Sequence, residues 1–189
     1  MKGWWKRFLP HIRLTRPPPT FPLDPDVLAG DSTTLYAALA DHWREVERPH
    51  YTPAHDAPAI DALERHYAIH IPAEFRAYLA HAAPRETFMD DYGTQWWSLD
   101  SIRSLADECP DGSPGPGLPA ITAQEDRYLV FADYLMWCCA WAICCADGPD
   151  YGRIALIGGG AEGFVAKDFR TFVERALTGS VELHRPTAQ

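Results

Sequence analysis

Six residues in the C-terminal third of the chain match the glycine pattern of dinucleotide-binding sites. Gly158-Gly159-Gly160-Ala161-Glu162-Gly163 has the spacing G-x-G-x-x-G and follows a predicted strand. In such sites a helix begins directly after the glycines, and its N-terminus binds the pyrophosphate. Here Gly163 is followed by Phe164-Val165-Ala166, and the next predicted helix begins only at Asp168. We therefore expect a turn between two strands at these glycines, and no bound cofactor.

Four cysteines at positions 138, 139, 144 and 145 are close enough in sequence to suggest a zinc site. Side chains alternate between the two faces of a strand, so Cys138 and Cys144 share one face, and Cys139 and Cys145 share the other. The two members of each pair are about 20 Å apart along an extended strand, whereas zinc ligands converge on one point. We predict that these cysteines are small, buried, reduced core residues and that they bind no metal.

The remaining candidate chemistry is weak, and we expect a protein that is not an enzyme. His66 and His70 have the i, i+4 spacing of helical metal ligands, but no Glu follows His66, and Pro72 indicates that the helix is ending. The sequence contains no G-x-S-x-G nucleophile turn and no P-loop. Segment 84–118 offers carboxylates for acid–base catalysis, although such residues are more typical of solvated loops. They are Glu86, Asp90, Asp91, Asp100, Asp107, Glu108 and Asp111.

The charge of the chain is unevenly distributed. Residues 1–16 carry five Lys and Arg and no acid, whereas residues 17–189 carry 12 basic and 26 acidic residues, a net charge of -14. Such a body repels the phosphates of nucleic acids and attracts basic proteins. We therefore expect a protein partner with a basic surface and no nucleic-acid partner.

The start of the chain does not have the features of a signal peptide. Residues 1–19 are basic but lack a run of 7–15 apolar residues. No stretch of the sequence approaches the roughly 20 apolar residues of a transmembrane helix. The five cysteines form a poor disulfide framework, since their number is odd and two pairs are adjacent. We therefore expect a cytoplasmic protein.

Hydrophobic periodicity predicts where the helices and strands lie. Apolar residues at three- and four-residue spacing predict helices near 33–48, 57–68, 72–82 and 168–178. Ser32 or Thr33 is the expected N-cap of the first helix, and Pro49 its end. Short apolar runs predict strands at 96–99, 128–131, 137–145 and 153–157, with a hairpin turn in the segment 146–152.

This order of elements predicts the α+β class, with N-terminal helices packed on an antiparallel β-meander and a C-terminal helix. The length suits one domain, at 31–180. Residues 1–30 are predicted to be a basic, proline-rich arm, and residues 181–189 a short C-terminal tail.

Two segments of the predicted helical half share a motif, and they are Ile60-Asp61-Ala62-Leu63-Glu64 and Ile69-His70-Ile71-Pro72-Ala73-Glu74-Phe75-Arg76-Ala77-Tyr78-Leu79. They resemble the opening motif of the SMI1/KNR4 family, which belongs to the SUKH superfamily. The family pattern is approximately I-x-x-L-E, then L-P-x-(D/E)-(F/Y)-(K/R)-x-(F/Y)-L, so Ile71 stands where Leu is commoner. The resemblance extends over about residues 56–178, with Ala132 in place of a frequent glycine before Asp133.

The resemblance implies a function in binding, since many bacterial members of this family are immunity proteins that bind and occlude a toxin. Two alternatives are a regulatory or scaffold module and a protein that binds or converts a small ligand. Loops between core elements tolerate change and carry recognition residues, so the predicted partner-binding residues lie in acidic loops. They are Glu86, Phe88, Asp90, Asp91, Tyr92, Asp107, Glu108, Asp111, Asp147 and Asp150.

Overall fold

The computed structural model of the chain describes residues 22–46, 51–112, 117–160 and 162–186. The basic segment 1–16 and the predicted end of the first helix at Pro49 lie outside these ranges. Within them the chain forms helices and one antiparallel sheet, which confirms the predicted α+β class.

The described residues form seven α-helices, of which four are the helices that the periodicity predicts. The seven are α1 (Pro25–Ala29), α2 (Ser32–Val46), α3 (Ala57–Tyr67), α4 (Ala73–His81), α5 (Leu105–Glu108), α6 (Pro119–Thr122) and α7 (Phe169–Leu177). The predicted helices correspond to α2, α3, α4 and α7. The other three helices have only four or five residues, too few to show a helical period. Single turns of 3-10 helix occur at Leu99–Ser101, Glu125–Arg127 and Val181–His184.

Seven strands of the described part of the chain form the sheet. They are β1 (Phe88–Met89), β2 (Thr94–Trp96), β3 (Arg103–Ser104), β4 (Tyr128–Tyr134), β5 (Cys139–Cys144), β6 (Ile154–Gly158) and β7 (Gly163–Ala166). Their order is β1-β2-β4-β5-β6-β7, and β3 pairs with β4 on a different stretch of that strand from β2. Every pairing is antiparallel, as predicted.

The register of the meander separates two ends of the sheet. Thr94 pairs with Tyr134, and Cys139 pairs with Gly158. The turns that follow β1, β4 and β6 therefore lie at one end, which we call the tip end. The turn between β5 and β6, residues 145–153, lies at the opposite end.

The N-cap of α2 is Asp31, so the predicted cap at Ser32 or Thr33 is wrong by one or two residues. The Asp31 carboxylate accepts hydrogen bonds from the backbone N–H of Thr34 at 3.0 Å and from its hydroxyl at 2.7 Å. These bonds lower the pKa of Asp31 below its ordinary value. Asp168 caps α7 in the same way, as predicted, and accepts from the N–H of Thr171 at 2.8 Å.

Aromatic side chains fill the space between the helices and the sheet. Phe75 of α4 and Phe169 of α7 pack on Phe131 of β4, with ring centroids 5.3 and 5.2 Å from it. Trp43 of α2 packs on Trp96 of β2 at 4.8 Å. Each of these side chains is almost fully buried, and burying one such ring contributes about 2–3 kcal/mol.

The other face of the sheet is covered by the segment that connects β2 with β4. The indole N–H of Trp97 donates to the carboxylate of Asp133 at 2.8 Å, and the hydroxyl of Tyr128 donates to the carbonyl of Ala120 at 3.3 Å. Leu105 and Ile121 of this segment are fully buried. Because both faces are covered, the sequences of β4 and β5 are almost entirely apolar.

The described parts of the predicted arm and tail pack on the domain. The Arg170 guanidinium donates to the carbonyls of Leu28 and Gly30 at 2.8 and 2.7 Å, which holds α1 against α7. At the other end of the chain Leu183 is buried, and its carbonyl accepts from the Trp141 indole at 3.0 Å. Residues 22–30 and 181–186 thus belong to the folded body.

Candidate functional site

The glycine-rich segment forms a turn between two strands, as the sequence predicts. Gly158 ends β6 and Gly163 begins β7. Gly158, Gly159 and Gly160 have φ of 77°, 68° and 81°, in the left-handed region that glycine adopts without strain. The next helix, α7, begins at Phe169. The glycines therefore lack the adjacent helix N-terminus that a nucleotide phosphate requires.

Three of the four clustered cysteines are buried as predicted, but the prediction is wrong for Cys138. Cys139, Cys144 and Cys145 are at most 5% exposed, whereas Cys138 is exposed. The N–H of Cys138 donates to the carbonyl of Tyr134 at 2.9 Å and so closes the turn before β5, which leaves Cys138 outside the strand. Burial raises the pKa of the Cys139 thiol to about 11.

The described residues do not bring metal ligands together. No group of three or more His, Cys, Asp or Glu in these parts of the chain is arranged to hold a metal ion. His66 lies on α3, which ends at Tyr67, and Ala68 follows with a left-handed φ of 49°. His70 is therefore not on the helical face of His66, and the i, i+4 spacing does not produce a pair.

Two of the ten predicted partner-binding residues are part of the interior, and the prediction that they form a surface is wrong. Phe88 is 6% exposed and packs against Trp43 with ring centroids 5.4 Å apart. Asp90 is 9% exposed and accepts hydrogen bonds from the N–H groups of Tyr92 and Thr94, each at 2.9 Å. A third bond comes from the Trp96 indole at 2.9 Å. Asp90 therefore stabilises the β1–β2 turn.

The other predicted residues do not form one surface, because the fold distributes them over separate regions. Asp91 and the partly buried Tyr92 lie in the β1–β2 turn at the tip end. Glu86 is exposed just before β1. Four of the remaining five surround the opposite end of the sheet, and they are Asp107, Glu108, Asp147 and Asp150, whereas Asp111 is exposed in the segment after α5.

Hydrogen bonds join three segments of the chain at this opposite end. The Tyr67 hydroxyl donates to the Asp107 carboxylate at 2.7 Å, which links α3 to α5. The Arg127 guanidinium donates to the carbonyl of Ala68 at 2.7 Å, and the Arg127 carbonyl accepts from the N–H of Cys145 at 2.8 Å. Segments that are far apart in sequence therefore meet around Arg127.

Acidic and basic side chains both line the surface around this junction. A groove of about 280 Å³ is lined by His70, Gln124, Arg127 and Asp147, among others. We call the exposed carboxylates of Asp107, Asp126 and Asp147 in this region the acidic end. The sequence prediction missed Asp126, although Glu125 and Asp126 stand just before Arg127 and the strand predicted from 128.

Ion pairs hold some acids of this region and leave others to solvent. Glu108 pairs with Arg103 at 3.4 Å, and Asp150 pairs with Arg153 at 2.5 Å. Asp126 pairs with Arg127 at 3.3 Å but keeps two thirds of its side chain exposed. Exposed ion pairs contribute little to stability, so the Asp126 carboxylate is available for recognition without being required for folding.

Similarity to known proteins does not assign this chain to a family. It matches no family model, and no curated protein matches it. The resemblance of residues 60–64 and 69–79 to the SUKH superfamily therefore stays a prediction. Among the described residues, no helix is both long and apolar enough to cross a bilayer.

Proposed function

We propose that this protein is an immunity protein that binds a cognate bacterial toxin and neutralises it by occlusion, without chemistry of its own. The observation that carries the proposal is the acidic end. Asp107, Asp126 and Asp147 come from three separate segments, and the fold gathers them at one end of the sheet. The motif resemblance of residues 60–79 supports the same class of function.

Physical reasons favour a basic toxin domain as the partner. Residues 17–189 carry a net charge of -14, and the negative field of such a surface accelerates its encounter with a positively charged protein. Toxin domains that bind nucleic acids have positively charged surfaces. An occluding partner needs fast association, because the toxin has to be captured before it acts.

The experiment is co-expression with the toxin domain encoded next to this gene, together with stopped-flow binding. The variant Asp107→Lys, Asp147→Lys changes the charge of the acidic end by four units. Its matched control is Glu45→Lys, Glu174→Lys, which makes the same change at exposed positions on α2 and α7. We expect the first variant to associate about tenfold more slowly at low salt and to protect cells poorly, and the control to behave like the wild type.

Two results would decide against the proposal. If the wild-type protein neither binds the toxin domain nor restores growth, the immunity function is wrong. If Asp107→Lys, Asp147→Lys has an intact fold by circular dichroism and still binds and protects as the wild type does, the acidic end is not the contact. A partner recovered without toxin activity would favour the regulatory alternative.

A further inference from the structure

The basic residues at the start of the chain have no part in the proposed toxin contact. Residues 1–16 carry five Lys and Arg without one acid, whereas residues 17–189 have a net charge of -14. Opposite charges within one chain attract each other, most effectively where a carboxylate is exposed and not already neutralised by an ion pair. The basic segment 1–16 therefore has a surface of complementary charge in its own molecule.

The described part of the chain starts at the same end of the sheet as the acidic end. Strand β7 ends at Ala166, which pairs with Ile154 beside the β5–β6 turn. Helix α7 therefore begins at this end of the sheet. Its Arg170 donates to the carbonyl of Leu28 at 2.8 Å, which places α1 at this end as well. The basic segment is thus joined to the domain on the side where the acidic end lies.

The connection is long enough for the basic segment to reach the acidic end. Arg16 is six residues and Lys6 sixteen residues before position 22, where the described chain starts. An extended chain spans at most about 3.4 Å per residue, so these two residues can lie up to roughly 20 and 50 Å from that point. A domain of this size has a radius of gyration of roughly 15 Å. The whole acidic end is therefore within reach.

The carboxylates of the acidic end are open to such a contact. Asp107 and Asp147 are exposed, and the side chain of Asp126 stays 67% exposed in its pair with Arg127. Asp91 is an exposed acid too, but it lies at the tip end, beyond the far ends of the strands from α1. Both charge and position thus favour the acidic end as the surface that the segment meets.

We propose that the basic segment 1–16 binds the acidic end of its own molecule, and that a basic toxin has to displace it. A short connection gives a tethered group an effective concentration on the order of 1 mM, so contacts too weak to join separate molecules are populated within one chain. The segment and the toxin compete for the same carboxylates, which regulates access to them. The competition rests on the proposed function, whereas the docking of the segment does not.

Carbodiimide crosslinking of the full chain tests the docking without a toxin. The reagent joins a lysine amine to a carboxylate with loss of water, and only where the two groups are in contact. The chain has three lysines, Lys2, Lys6 and Lys167, so mass spectrometry assigns every crosslink from the segment. We expect Lys2 and Lys6 to be joined to carboxylates of the acidic end. The yield should fall at least about fivefold in 1 M NaCl, where the screening length is about 3 Å.

Two variants with the same change of charge test the position of the contact. Asp107→Asn, Asp147→Asn removes two negative charges from the acidic end and leaves Asp126 as the acceptor. We expect the yield of crosslinks to Asp126 to fall about threefold, because the attraction that holds the segment there is weaker. The control is Glu45→Gln, Glu174→Gln, which removes two charges from exposed positions on α2 and α7 and should leave this yield unchanged.

The toxin domain then tests the competition. Saturating toxin should remove the crosslinks between the segment and the acidic end. We expect Lys2→Gln, Lys6→Gln to associate with the toxin about threefold faster than Arg85→Gln, Arg185→Gln at low salt. The second variant removes the same charge from exposed positions of the domain, so the difference between the two reports displacement of the segment and not net charge.

The outcomes separate the docking from the proposed function. Crosslinks of Lys2 and Lys6 that fall on Asp91 or Glu182, that spread evenly over the exposed acids, or that do not exceed the yield in 1 M NaCl overturn the docking. Crosslinks that occur only between two chains assign the segment to a second copy and also overturn it. Crosslinks at the acidic end that persist with bound toxin overturn the competition alone. A wild type that forms these crosslinks but does not bind the toxin overturns the proposed function and leaves the docking in place.

Discussion

The Asp90 carboxylate accepts a hydrogen bond from the indole nitrogen of Trp96 at 2.9 Å, inside the hairpin that β1 and β2 form. Its other oxygen accepts from the N–H groups of Tyr92 and Thr94. One side chain therefore satisfies three donors that the turn would otherwise leave unpaired. This arrangement separates Asp90 from its neighbour Asp91, which is exposed.

The first prediction compares these two neighbours. We expect Asp90→Ala to lower the free energy of unfolding by about 2–3 kcal/mol, because three donors lose a charged acceptor in a buried place. Asp91→Ala is the control and is expected to change stability by less than about 0.5 kcal/mol. Guanidinium unfolding at pH 7 measures both. Equal effects of the two substitutions would contradict the role assigned to Asp90.

The second prediction concerns pH. Burial raises the pKa of the Asp90 carboxyl above its ordinary value of 3.8, against the opposing effect of its hydrogen bonds. The folded protein therefore binds this proton more tightly than the unfolded chain does. The stabilisation from protonation is complete below pH 3.8 and is lost as the pH rises through the folded pKa.

Asp90→Asn provides the comparison, because it removes this titration and leaves the other groups in place. We expect the stability of the wild type relative to Asp90→Asn to fall as the pH rises above 3.8 and through the raised pKa of the folded state, as measured by unfolding at a series of pH values. A relative stability that rises with pH would mean that the hydrogen bonds to the ionised carboxylate outweigh its desolvation.

The periodic elements were predictable from sequence, and the surface was not. A helix such as α7 buries Phe169, Phe172 and Val173 at helical spacing, and this burial is what periodicity records. Strands β1 and β3 have two residues each, which is too short for an alternating pattern to be recognised. The acids near β1 look alike in sequence, and only the fold of the turn distinguishes Asp90 from Asp91.

The candidate surfaces depend on contacts between distant segments. Asp107 and Asp147 lie at the same end of the sheet because β3 and β5 both pair with β4 in particular registers, which local sequence does not specify. Leu135-Met136 joins two predicted strands without glycine or proline, so local sequence did not indicate the left-handed turn that the structure shows there.

The third prediction concerns thiol reactivity. Thiolates react and thiols do not, and burial raises the pKa of Cys139, Cys144 and Cys145. We expect Ellman's reagent at pH 8 to modify Cys138 at least about tenfold faster than these three. Cys138→Ser should remove the fast phase, and all five thiols should react in denaturant. A fast phase that persists when both Cys138 and the half-buried Cys109 are replaced by Ser would show that a buried thiol is accessible.

The fourth prediction uses two tyrosines of the core that differ in one hydrogen bond. The Tyr51 hydroxyl donates to the carbonyl of Ala82 at 2.9 Å. Tyr78 is fully buried among aromatic rings, and none of the described residues accepts a hydrogen bond from its hydroxyl. A buried hydroxyl without a partner has lost its bonds to water without replacement, which destabilises the folded state.

The same substitution should therefore act in opposite directions at the two positions. We expect Tyr51→Phe to lower the free energy of unfolding by about 1 kcal/mol, since the Ala82 carbonyl loses its donor. We expect Tyr78→Phe to leave it unchanged or to raise it by up to about 1 kcal/mol, since only an unpaired group is removed. Urea unfolding of both variants beside the wild type measures the pair. A Tyr78→Phe protein destabilised as strongly as Tyr51→Phe would mean that a buried water accepts the bond from the Tyr78 hydroxyl.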